Sequence, residues 1–181
     1  MHLDMQTMSA VNVTVTAILG LVLVFTWARE RECAFVGWWG LALLAQSAGV
    51  VVAAAASNPD ADDLLAIGTA TIILADAVKW MAARQFANRT ANLFLIVLGP
   101  AGFLLAAKLG YIASFDGRLG AVCTILSLYN FAAAIELSRA NDERLPSRWP
   151  AVILLIVIGL GYLSWLPLNL TMPIHESSAV S

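Results

Sequence analysis

Six stretches of this chain are apolar for about the length needed to cross a bilayer, and no other feature limits its fold as strongly. The apolar core of a membrane is about 30 Å thick, so a helix needs roughly 20 apolar residues to span it. The stretches are Ser9–Trp27, Phe35–Ala56, Leu64–Phe86, Leu93–Leu109, Leu119–Leu137 and Trp149–Leu168, of 19, 22, 23, 17, 19 and 20 residues. They take up most of the 181 residues and leave little chain for a soluble domain. Backbone in lipid must satisfy its own hydrogen bonds, which makes these stretches helices. A membrane β-barrel needs alternating segments, and Val152–Ile158 is apolar without alternation. The expected fold is an all-α, polytopic membrane helix bundle of six transmembrane helices. It forms one membrane domain over residues 1–181, with an extramembrane tail over 169–181.

Composition agrees. Hydrophobic residues make up 60% of the chain and charged residues only 12%, about half the charge of a soluble domain. The net charge of −2 and pI near 5.6 give no sign of a nucleic-acid partner. The breaks between stretches are polar turns. One is Ser57–Asp63, with Pro59 and three acids; another is Asp116-Gly117; a third runs from Ser138 to Arg148. Pro150 falls in the first turn of the sixth stretch, where a missing N–H is harmless. No basic segment precedes the first stretch, so it does not read as a cleaved signal.

Cations are divided unevenly between the loops. Arg29, Arg31, Arg84, Arg89, Arg139, Arg144 and Arg148 fall on one side, and only Lys108 and Arg118 on the other. The arginine-rich side is expected to be cytoplasmic. This implies an inner-membrane protein with its N-terminus and, after six crossings, its C-terminus outside.

Ionisable groups within spans are the first functional candidates. Asp76 and Lys79 stand three residues apart in the third stretch, on neighbouring faces of one helix. They read either as a proton or ion relay, or as a structural ion pair with Lys79 reaching towards the headgroups. Gln46 and Ser47 in the second stretch, and Ser127 and Asn130 in the fifth, either bond helices together or line a small pocket. Glu136 and Arg84 fall at cytoplasmic helix ends and are expected at the interface. Ala45, Gly49, Ala53 and Ser57 form a four-residue ladder of small side chains, expected to pack within the molecule more than between copies. Trp27, Trp38, Trp39 and Trp149 lie near predicted cytoplasmic boundaries and are expected to be interface anchors.

No catalytic, cofactor-binding or metal-binding set is assembled. The two histidines, His2 and His175, fall outside the spans, and no phosphate-binding glycine loop occurs. Cys33 and Cys123 are placed most of a bilayer apart and are expected to be free thiols.

Several boundary motifs are familiar together. They are Thr26-Trp-Ala-Arg-Glu-Arg-Glu32, Phe35-Val-Gly-Trp-Trp-Gly-Leu41, Ser138-Arg-Ala-Asn-Asp-Glu-Arg144, Ser147-Arg-Trp-Pro150 and Trp165-Leu-Pro-Leu168. They resemble the N-terminal membrane region of alphaproteobacterial GGDEF-type diguanylate cyclases, and the resemblance covers nearly the whole chain. In that family a bundle of about six to eight helices precedes the catalytic part, and the family continues through another helix and a charged linker into a cytoplasmic module that makes cyclic di-GMP from GTP. The chain has no such module, so the resemblance implies an input region ended early, and no catalytic residue carries over. The expected function is a membrane sensory or anchoring module of cyclic di-GMP signalling, inactive as an enzyme and without a cofactor. Its expected partners are the lipid bilayer, a second copy of the chain and an unidentified small ligand. The alternative is a small transporter or channel subunit with Asp76, Lys79, Gln46 and Asn130 along the path.

Overall fold

The computed structural model describes residues 5–56, 61–90, 92–112, 114–139 and 148–171. Among them lie six helices: α1 (Met5–Arg29), α2 (Ala34–Ala55), α3 (Asp62–Phe86), α4 (Leu93–Lys108), α5 (Phe115–Arg139) and α6 (Arg148–Thr171). The described residues contain no strand, and the protein is an all-α bundle of apolar helices suited to a membrane. Five of the helices have the length and apolarity to cross a bilayer. The sixth, α4, is apolar but has 16 residues, with Pro100 inside it. At 1.5 Å per residue it is about 24 Å long, short of the apolar core.

Most helices outrun the apolar stretches that announced them. At several of these ends the reason is electrostatic and local: Asp62, Asp63 and Asp116 occupy the added first turns of α3 and α5, and Arg29 and Arg139 the added last turns of α1 and α5. These signs complement the partial charges of the helix ends, so charged residues continue the helix beyond lipid.

Helix order in space follows from the contacts. The first helix packs on α2, α2 on α3, and α3 on both α4 and α5, while α6 packs on α5. The centre is therefore α3, and α1 and α6 are the outer helices. Where α1 crosses α2, a Cβ on Gly40 would lie 2.9 Å from the carbonyl oxygen of Gly20. Where α2 crosses α3, a Cβ on Gly68 would lie 2.5 Å from the backbone nitrogen of Ala53 and 2.8 Å from the Gly49 oxygen. Only glycine allows backbones this close, and close approach is what holds helices together where lipid is as apolar as leucine. Gly49 and Ala53 of the predicted ladder thus pack within the molecule. Ser57 lies outside the described residues.

Two apolar clusters fill the centre. The larger gathers Ala77, Trp80 and Met81 of α3 with Ile96 of α4, Ala133 and Leu137 of α5 and Leu155 of α6. The smaller joins Ile73 of α3 to Phe103 of α4 and Leu126 of α5. Cys33 is exposed just before α2, Cys123 is buried in α5, and both are free thiols.

Candidate functional site

Because α2 and α5 flank α3, the four polar residues singled out within the spans converge on one point. Lys79 Nζ donates to Asp76 Oδ1 at 2.7 Å and to Gln46 Oε1 at 2.6 Å. Asn130 Nδ2 donates to Asp76 Oδ2 at 3.2 Å and to the Leu126 carbonyl at 2.8 Å. Asp76 and Asn130 are 3% and 4% exposed, so water cannot supply these partners. Each Asp76 oxygen has its own donor, one charged and from its own helix, the other neutral and from α5.

This division of labour is the main chemical property of the site. Charge is compensated entirely within α3, whereas the links to α2 and α5 are amides. Moving a proton between Lys79 and Asp76 leaves the pair neutral either way. Around it, Ser127 Oγ donates to the Gly159 carbonyl of α6 at 2.9 Å. Tyr162 of α6 packs against the Ile73, Phe103 and Leu126 cluster on the same side of α3. Ser47, named beside Gln46, instead turns back to the Leu44 carbonyl of its own helix and takes no part.

Two further polar layers join α3 to α5. Arg118 holds Asp62 with Nη1 and Nη2 at 3.1 and 3.0 Å, and its Nε donates to the Ile112 carbonyl. Both helices start at that end, so they run parallel. At the opposite end Glu136 of α5 lies 3.8 Å from Arg84 and 3.5 Å from Arg89. From Asp62 to Arg84 is 22 residues, about 33 Å along α3 and close to the thickness of the bilayer core. The two outer layers therefore lie a membrane thickness apart, with the Asp76 cluster between them. The Asp62–Arg118 pair was missed in the sequence, although both residues fall in loops predicted on the same side.

Arg89 owes its position to the end of α3. Asn88 takes φ 55°, the left-handed conformation of a helix C-cap, and Arg89 N–H donates back to the Arg84 carbonyl at 2.9 Å. The chain then re-enters helix at Asn92, whose side chain caps the Phe94 N–H at 3.1 Å. Glu136, expected at the interface, is buried at 7% exposure. Two arginines close over the carboxylate, Arg84 of α3 and Arg89 just beyond it.

The four tryptophans divide. Trp38 and Trp149 are exposed, and Arg148 stacks over the Trp149 ring at 5.7 Å. Trp39, expected as an anchor, is half-buried against the larger core cluster. Adjacent residues on a helix point about 100° apart, so Trp38 and Trp39 cannot share one face. Trp27 is half-buried, with its ring over Gly37, where a Cβ would lie 2.6 Å from it.

Among the described residues no group of three or more histidine, cysteine, aspartate or glutamate side chains is placed to hold a metal ion. Compared with known proteins, the chain matches no family model, no curated protein and no solved structure.

Proposed function

We propose that this chain is a membrane-embedded input and anchoring module of the diguanylate cyclase type, spanning the inner membrane with its arginine-rich ends in the cytoplasm and its N-terminus periplasmic. The observation that carries this reading is the split of roles in the Asp76 cluster. Breaking a buried ion pair costs about 3–5 kcal/mol, because a charge is left uncompensated. Giving up a hydrogen bond between a charged group and a neutral amide costs less, about 1.5–3 kcal/mol, and both links to α2 and α5 are of that kind. With Lys79 and Asp76 on one helix, α2 or α5 can shift against α3 at the lower cost. A small ligand or a change in the bilayer that prefers the shifted packing would then move the population between two states. A transport path needs the charges to separate or exchange, and the geometry makes that the expensive step. The sidedness rests on Arg29, Arg84, Arg89, Arg139 and Arg148, which gather at one set of helix ends, opposite Lys108 and Arg118.

Spin labels at the outward-facing Val51 of α2 and Leu128 of α5 test it in nanodiscs. Two distance populations are expected, with Gln46→Leu shifting the balance between them. A single distance indifferent to Gln46→Leu counts against an input role. Ion or proton flux in vesicles that disappears in Asp76→Asn would transfer the case to transport. Synthesis of cyclic di-GMP from GTP by the purified chain would show that it is an enzyme after all.

A further inference from the structure

A groove of about 500 Å³ runs between α4 and α5, floored by Trp80 of α3 and walled by Leu95, Gly99, Gly102, Ile125 and Ala132. Its lining is almost wholly apolar. Leu98 and Leu128, also on its wall, are 51% and 63% exposed, so it faces outward, towards lipid in a membrane. Gly99 and Gly102 give it depth. A Cβ on Gly99 would collide with the Tyr129 hydroxyl, which donates to the Leu95 carbonyl at 2.7 Å, whereas a Cβ on Gly102 would meet nothing within 4 Å. From Leu95 to Gly102 the groove follows α4 for about 10 Å.

One end of this groove is charged. Arg84 lies one turn beyond Trp80 on α3 and stacks over its ring at 5.2 Å, and Glu136 lies one turn beyond Ala132 on α5. Arg89 closes the same corner, with its side chain 47% exposed. Two guanidinium groups thus share one carboxylate, at 3.8 and 3.5 Å, and both Arg84 Nε and Glu136 Oε2 are buried without a hydrogen-bond partner. With two cations to one carboxylate the corner carries a surplus positive charge, exposed at Arg89 and about 6 Å above the end of an apolar groove. We infer that this is a binding site for an anionic phospholipid, with the phosphate at Arg89 and Arg84 and one acyl chain along the groove. Basic pockets between membrane helices take anionic headgroups for this reason, and an arginine fork suits a phosphate oxygen pair.

The test is native mass spectrometry of the full chain released from mixed micelles of phosphatidylglycerol and phosphatidylcholine. The native chain is expected to retain phosphatidylglycerol at least fivefold over phosphatidylcholine. Arg89→Ala should reduce that preference about fivefold, the effect of one cation near a headgroup, and Arg89→Lys should keep most of it. Gly102→Leu fills the groove in open space and should abolish retention of both lipids, with circular dichroism verifying that the helices remain. Equal retention of the two lipids, or retention unaffected by Gly102→Leu, would overturn the site. So would displacement of the lipid by millimolar inorganic phosphate, which would mark the corner as a bare anion site.

Discussion

The first and third helices are equal in length, and α1 is the more apolar, yet only 6% of its most apolar 18 residues are buried inside the protein against 44% for α3. In water the order would be reversed, because apolar surface drives burial there. In lipid nothing is gained by moving leucine from tails to protein. Burial goes instead to helices that carry polar groups needing partners or small residues allowing close approach. The third helix has both: Asp62, Asp76, Lys79 and Arg84 on its way through, and Gly68 at its crossing with α2. The first helix has Gly20 against Gly40, and its hydroxyls at Thr14 and Thr26 bond back to its own carbonyls. What distinguishes the helices is thus polar chemistry and shape, with apolarity common to all.

Removing a polar partner from α3 should break this contrast most severely. Asp76→Ala leaves Lys79 without its carboxylate, and a loss of about 3–5 kcal/mol is expected in detergent unfolding titrations. The double replacement Asp76→Leu with Lys79→Leu should recover most of it, since the burden lies in the orphaned charge. Equal losses in the single and double variants would show that the pair itself is what stabilises.

Gly68→Leu comes next. Its side chain would meet the Ala53 backbone, which cannot swing away, and overpacking of this kind costs about 1–3 kcal/mol. Cysteine cross-linking between α2 and α3 should fall with it. The matching change on the outer pair, Gly40→Leu, meets the Gly20 carbonyl at 2.9 Å. Its expected effect is narrower: α1 becomes accessible to protease while the rest of the bundle keeps its unfolding midpoint. A global loss from Gly40→Leu would mean that α1 is more than an outer helix.

Arg118→Ala should have the smallest effect. Asp62 is largely exposed, and surface pairs of this kind are weakened by salt. A small fall in midpoint is expected at low ionic strength, vanishing at 1 M salt.

Much of the candidate site was legible from one rule, that a polar residue inside an apolar stretch needs a reason. It marked Asp76, Lys79, Gln46 and Asn130 on three different helices, and all four meet. Tyr162 escaped because a lone tyrosine in an apolar helix is ordinary, and a place near a helix end could not show that Glu136 is buried beside Arg84 and Arg89. The tryptophans show the limit from another side. Boundary position alone cannot say that Trp38 points outward and Trp39 inward.

The sequence by itself determined the class of molecule. Runs of this length and apolarity can only be helices in a bilayer, and their polar breaks set the ends to within a turn or so. Tertiary structure alone decided which helices are neighbours and how each is rotated. In water an apolar stripe would have revealed the inward face. In lipid both faces are apolar, the periodicity fades, and orientation is left to a few glycines and polar side chains whose partners lie tens of residues away. Gln46 to Lys79 and Asp76 to Asn130 are contacts of that kind. Only the packing of α2 and α5 on either side of α3 turned four scattered residues into one site.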